Sequence, residues 1–197
     1  LIIANFPIPA WLDWVSSVVI NQETGETLAS MLNKPSDATF TIMAVFAVMG
    51  IAHSFAKQIK TNPLFGSAVA LMSWFMLMPY LIPATVTVGD ATGDVMIGGL
   101  SLGWLGAKGI FVGIICAFVS VHIYAWVERK GWTIKMPAGV PPTVVESFSA
   151  LIPAIMVMTV FGVINLIFNL ADTNAFQIIF EFLQTPLRNL GDTLGAM

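Results

Sequence analysis

Few side chains in this sequence could do chemistry, because only 10% of its 197 residues are charged. His53 and His122 both stand in apolar surroundings. An imidazole in lipid serves as a proton relay, as a hydrogen-bond partner for a polar substrate, or as a side chain satisfied inside a helix bundle. No carboxylate lies three or four residues from His53. His122 and Glu128 are six residues apart, which places them on different helix faces. Neither histidine therefore makes an acid–base pair. Asn165 and Asn169 are spaced to share a helix face, where amides bond a neighbouring helix or a substrate. His53, Asn165 and Asn169 are the candidates for substrate contact. The single cysteine, Cys116, excludes a disulfide within the chain and a thiolate-rich zinc site. The segment GDATGD (89–94) lacks the alternating oxygen ligands and closing glutamate of a calcium loop. GGLSLGWLGAKG (98–109) lacks the Lys-Ser/Thr ending of a phosphate loop. Both read as parts of a turn-rich connection. No metal site, cofactor site or paired catalytic carboxylates emerge.

Glu146 is the most informative acid. Thr143-x-x-Glu146 has the spacing of a capping box, in which each side chain satisfies an end amide of the helix. Pro141 and Pro142 precede it and would stop the helix from extending backward. A carboxylate at the centre of a membrane helix costs about 2.5–3.5 kcal/mol, and a place in the first turn relieves most of that. A structural cap is the expectation, with a transport role as the alternative. Pro153 removes an amide from the helix that follows and predicts a kink there.

The elements that must position these residues follow from composition. The chain is 57% hydrophobic, with 8 basic and 11 acidic residues, and its mean hydropathy is +0.86. Soluble domains carry about 25% charged residues. The sequence therefore excludes an ordinary soluble enzyme and a disordered chain. It also excludes a nucleic-acid binder, which needs a basic patch. Residues 38–56, 61–89, 109–127 and 147–171 contain no Asp, Glu, Lys or Arg. A helix needs about 20 mostly apolar residues to cross the bilayer. These four runs are expected as whole spans. Residues 1–12 form a shorter run broken by Pro7 and Pro9, expected to be the remnant of a further span. Continuous apolar runs such as MAVFAVMGIA do not alternate as the strands of a barrel do. The expected fold is an all-α integral membrane protein. It is a polytopic helix bundle with one span remnant, four whole spans and peripheral amphipathic helices.

Lys57 and Lys60 follow the first whole span, and Arg129, Lys130 and Lys135 follow the third. Basic connections stay in the cytoplasm, so residues 57–63 and 128–142 are expected inside, and the acidic connections 9–37 and 85–108 outside. Pro9 to Ile20 is expected as a short helix at the interface, with Trp11 and Trp14 on its apolar side, or as a packed loop. Trp126 and Trp132 suit interfacial anchors. Gly109, Gly113 and Ala117 recur every fourth residue, a small-xxx-small seam for close helix packing either within one subunit or between two. The tail from Thr173 places Phe176, Ile179, Phe180 and Leu183 on one face of an amphipathic helix capped by Thr173.

One stretch carries a resemblance. IKMPAGVPPTVVESFSALIP (134–153) closely resembles the signature of the membrane-embedded IIC components of bacterial phosphotransferase sugar systems, in the lactose/cellobiose/diacetylchitobiose branch. NFPIP (5–9), DATF (37–40), NPL (62–64) and QTPL (184–187) agree with it. The resemblance implies a disaccharide permease of the bacterial inner (cytoplasmic) membrane that works as a homodimer by alternating access. It also implies that a cytosolic IIB partner, recharged by IIA, phosphorylates the sugar, so that IIC is a transporter subunit rather than an enzyme. The match covers the first half of that family's pattern. Residues 1–171 would then be the dimer-facing scaffold and 172–197 an amphipathic tail leading to a transport domain. The family's main sugar-binding residues would lie beyond residue 197. His122 departs from the pattern, where an acidic residue is common. The rival readings are half of an ion-coupled carrier and a membrane scaffold without transport activity.

Overall fold

A computed structural model describes residues 6–88, 91–137, 139–171, 173–179 and 181–182. The chain divides into two compact units, Leu1–Met43 and Ala44–Met197.

In the first unit, α1 (Pro9–Ser17) starts on a proline, whose missing N–H costs nothing at a helix start. It ends earlier than the sequence pattern suggested, because Val19–Asn21 (β1) pairs antiparallel with Glu26–Thr27 (β2). Ser16 and Ser17 donate back to the Leu12 and Trp14 carbonyls in its last turn. Helix α2 (Leu28–Ser36) opens on a capping box. The Thr27 hydroxyl accepts from the Ser30 amide, and the Ser30 hydroxyl accepts from the Thr27 amide. Pro35 interrupts the α2 ladder, and a single π turn, Asp37–Thr41, follows.

The second unit holds the long helices α3 (Met43–Gln58), α4 (Pro63–Leu77), α6 (Ile110–Arg129) and α8 (Leu151–Leu170). Between them lie the hairpin β3–β4 (Leu81–Val88 and Ala91–Gly98), the short helix α5 (Leu102–Leu105) and helix α7 (Pro142–Ser149). Three helical stretches are long and apolar enough to cross a membrane: Leu28–Gln58, Ala107–Arg129 and Pro142–Leu170. Helix α4 is apolar but has only 15 residues, about 22 Å at 1.5 Å per residue.

The chain is mostly helical but carries two short antiparallel strand pairs, and within the run 61–89 the helix covers Pro63–Leu77. Met78 precedes Pro79, and a residue before proline is pushed out of the helical region. Met78 is accordingly extended, with ψ 137°, and α4 stops there. The β-branched residues of LIPATVTV then pair with ATGDVMIG, from Leu81 opposite Gly98 to Val88 opposite Ala91. A two-stranded ribbon leaves one edge of each strand open, where Pro83 is tolerated. The expected span remnant lies partly outside the described residues. Phe6, Pro7 and Ile8 are not helical.

Small residues set the packing of the second unit. Ala44, Val48, Ala52 and Ala56 recur every fourth residue along α3 and are all fully buried. A methyl group on Gly66 of α4 would stand 2.9 Å from the Ala56 Cβ. One on Gly113 of α6 would run into the Val48 side chain and touch Trp74. One on Gly109 would strike the Trp104 carbonyl. Ala117 is also fully buried. The α6 seam of Gly109, Gly113 and Ala117 is thus filled from within the chain. Trp74 is its centre: fully buried, its indole N–H donates to the Gly109 carbonyl at 3.2 Å. Phe176 closes over it, 5.8 Å from the Trp74 ring and 5.3 Å from the Trp104 ring. The buried hydroxyls of Ser73 and Ser120 donate to carbonyls one turn back, which spares them an unsatisfied donor.

Helices α7 and α8 break at Ala150, three residues ahead of Pro153. Proline offers no N–H to the Ser149 carbonyl, and its ring crowds that carbonyl. The helix is accordingly interrupted at Ala150, near the expected position. Residues 175–179 are helical, and the Asn174 side chain, rather than Thr173, accepts the Gln177 amide at 2.7 Å. Thr173 instead donates to the Phe168 carbonyl at 3.3 Å. The Phe180 and Leu183 face expected for this tail, and the 184–187 motif, lie outside the described residues.

Candidate functional site

One group of polar residues gathers where α3 stops, α4 starts, α6 stops and α7 starts. The turn between α3 and α4 organises it. Lys60 adopts a positive φ of 59°, an uncommon conformation for a side-chain-bearing residue. The two residues that follow then each reach a carboxylate from a different element. The Thr61 hydroxyl donates to Glu128 Oε2 at the end of α6. Asn62 caps α4, its Oδ1 accepting from Leu64 N at 3.0 Å, while its Nδ2 donates to Glu146 Oε2 at 3.3 Å. Arg129 of α6 returns the contact, donating from Nη2 to the Ile59 carbonyl at 2.7 Å.

These bonds surround a cavity of ≈ 320 Å³ lined by Asn62, Phe65, Tyr124, Glu128, Thr133, Val145, Glu146, Ser149 and Ala150. Two carboxylates, an amide, a phenol and two aliphatic hydroxyls meet one aromatic side wall there. Such a lining offers acceptors and donors in a partly enclosed space, suited to a polar, hydroxyl-bearing molecule. No group of metal-ligating side chains occurs among the described residues.

Glu146 belongs to this site and not to a capping box. The helix starts at Pro142, with Pro141 as its N-cap and no side-chain cap bond. Proline's fixed φ suits the first helical position, so the helix begins one residue before Thr143 and leaves that threonine inside the first turn. The Thr143 carbonyl takes the Ser147 hydroxyl at 2.8 Å, and Glu146 turns to Asn62.

The other candidates lie elsewhere. His53 is exposed on α3. His122 is exposed on α6, beside an apolar cleft with Phe55, Phe118, Val119 and Ile123. Asn165 and Asn169 do share a face of α8, Asn169 Nδ2 donating to the Asn165 carbonyl at 2.8 Å and to its Oδ1 at 3.2 Å. Asn165 also lines a wider, mostly apolar cleft of ≈ 580 Å³ with Met72, Phe75, Met76, Tyr80, Leu100 and Met158. The structure therefore puts the sequence candidates in separate places and adds Thr61, Asn62, Tyr124 and Glu128. Asn62 followed by Pro63 is a readable helix-start signal. Nothing local pairs Thr61 with Glu128.

Long apolar helices joined through small residues, with a polar cavity between their ends, define an integral membrane protein. Its family follows from comparison. The model of the phosphotransferase system EIIC family matches residues 1–195, and the chain belongs to that family. The chain is 41% identical over 174 residues to the oligo-beta-mannoside-specific EIIC component of Bacillus subtilis, covering 88% of this chain and 38% of that protein. It is 36% identical to the cellobiose-specific EIIC component of Geobacillus stearothermophilus, over 100% of this chain and 43% of that one. Among solved structures it resembles ChbC, the IIC component of the N,N'-diacetylchitobiose-specific system. There the TM-score is 0.80 and the identity 33%, over 96% of this chain and 43% of that one. The chain thus spans less than half the length of these relatives.

Proposed function

We propose that the chain forms the scaffold part of a sugar-translocating IIC subunit that imports a disaccharide of the cellobiose, diacetylchitobiose or lactose type. The observation that carries this reading is the family match across residues 1–195, together with relatives whose names specify cellobiose and N,N'-diacetylchitobiose. In this reading the subunit is a homodimer of the bacterial inner membrane, with residues 1–171 as the dimer-facing scaffold and 172–197 leading to the transport domain. Cytosolic IIB, recharged by IIA, phosphorylates the incoming sugar. The basic connections 57–63 and 128–142 face the cytoplasm, because Lys/Arg-rich loops are retained there. The polar cavity then opens on the cytoplasmic side. His53, Asn165 and Asn169 are auxiliary sugar contacts, and the main site lies outside the 197 residues.

Vesicles test this directly. The protein expressed from its native gene should take up a disaccharide saturably when IIA and IIB are supplied, whereas vesicles holding residues 1–197 alone should not. Saturable uptake by residues 1–197 alone would refute the division of labour. Absence of uptake with the native-gene protein, tried with cellobiose, diacetylchitobiose and lactose, would refute the function.

A further inference from the structure

The end of the bundle that holds the polar cavity also carries Lys57, Lys60, Arg129, Lys130 and Lys135, all exposed. Two carboxylates lie within reach of the same segments, yet neither neutralises a base. Glu128 takes the Thr61 hydroxyl and Glu146 takes the Asn62 amide, both neutral donors. Among the described residues none of the five bases is in a salt bridge, whereas Lys34 pairs with Glu26 in the other unit. At this end both acids line the cavity, Glu128 half-buried and Glu146 exposed, and bond neutral donors, while the five bases stay exposed.

The geometry around Arg129 concentrates that charge beside the membrane. Helix α6, one of the membrane-crossing candidates, ends at Arg129. The chain then turns at Gly131, with φ 74°, and its amide bonds the Glu128 carbonyl at 2.9 Å. That turn brings Trp132 back onto Trp126, edge to face at 5.7 Å. Lys130 lies over the Trp126 ring, 5.8 Å from its centre. Both indoles are about half exposed, in the amphipathic setting that tryptophan takes at a bilayer interface. The Arg129 bond to the Ile59 carbonyl draws the Lys60 turn alongside, and Arg129 itself is an exposed residue.

We infer that Lys60, Arg129 and Lys130, flanked by Trp126 and Trp132, form a binding site for the headgroup of an anionic phospholipid. The cations supply charge to the phosphate, and a guanidinium can bond it through two N–H groups. The indoles lie against the glycerol and upper acyl region. Basic side chains next to a membrane helix attract anionic lipid by about 1 kcal/mol each. An acidic protein surface would also be drawn by the charge, but it makes no use of two exposed indoles beside the end of a membrane helix.

The test uses the protein expressed from its native gene in nanodiscs of phosphatidylcholine with a rising fraction of phosphatidylglycerol. The readout is retention of phosphatidylglycerol after transfer to detergent, measured by native mass spectrometry, with melting temperature alongside. Lys60→Gln with Lys130→Gln, which spares the Arg129–Ile59 bond, should weaken retention roughly tenfold or more. Arg129→Lys should weaken it less than the double variant. Lys34→Gln, in the other unit, should leave it unchanged. Equal retention by wild type and the double variant overturns the site. So does equal loss on Lys34→Gln, which would mean diffuse charge attraction. Unchanged lipid retention with a fall in IIB-dependent sugar phosphorylation would also overturn it, and would assign the surface to a protein partner. Lipid retention is read without transport, so its failure is distinct from failure of the proposed permease function.

Discussion

The glycine seam around Trp74 and the polar end around Asn62 both join the α3 segment or its turn, α4 and α6, but they do so by opposite means. At the seam the Trp74 indole bonds the Gly109 carbonyl, and close packing of small residues does the rest. Contact depends on missing side-chain volume at Gly66, Gly109 and Gly113. At the polar end each join is a hydrogen bond with a named donor and acceptor, and a cavity of ≈ 320 Å³ remains between them. The seam should therefore fail when volume changes in either direction. The polar end should tolerate changes of size and fail when a donor is removed.

The largest effect is expected for Trp74→Ala. It empties the centre of the seam and orphans the Phe176 contact, and losses of this kind cost about 3–5 kcal/mol. The melting temperature of the protein in detergent should fall more than for any variant of the polar end. A smaller fall than for Asn62→Ala would break the contrast. Gly113→Leu comes next. Even a Cβ there meets Val48, and overpacking costs about 1–3 kcal/mol or more. A helix shift that relieved it would appear as unchanged melting, and the seam would then not be rigid.

Asn62 separates two roles within the polar end. Asn62→Ala loses both the α4 cap and the Glu146 contact, and loss of a cap alone costs about 0.5–2 kcal/mol. Asn62→Asp keeps an oxygen for the Leu64 and Phe65 amides but faces Glu146 with a like charge. Melting should order wild type above Asp, and Asp above Ala or equal to it. Asp equal to wild type would show that the Glu146 contact contributes nothing. The smallest effect is expected for Glu146→Gln, whose amide oxygen still accepts from Asn62 Nδ2. It should melt within about 0.5 kcal/mol of wild type, with Glu146→Ala lower. Abolished disaccharide uptake in a stable Gln variant would show that the carboxylate charge serves transport, which would sharpen the polar end into a working site.

Much of this architecture can be read locally. A helix boundary depends on a few neighbouring residues. Asn62 with Pro63, Pro79 after Met78, and Pro142 each mark an end that the structure respects. The capping box proposed at Thr143 misreads such a signal, because the proline ahead of it is the stronger helix starter. The true box, Thr27 with Ser30, uses a serine where the usual pattern has Glu or Gln. Strand β3 is hidden inside the uncharged run 61–89, since apolar strands and apolar helices share a composition. The paired amides of Asn165 and Asn169 are legible because helical spacing alone brings them together.

By itself the sequence determined the membrane class, the long apolar segments, the basic connections and the helix interruption ahead of Pro153. All of these depend on transfer energies and backbone chemistry that act residue by residue. Tertiary structure alone decided that Gly113 receives Val48 and Trp74 of the same chain, rather than leaving the seam free for a second copy. It also decided that Thr61 and Asn62 divide Glu128 and Glu146 between them. Those choices depend on which helices lie side by side and how they are rotated. Three-dimensional packing selects among many small residues and polar groups that look equivalent along the chain.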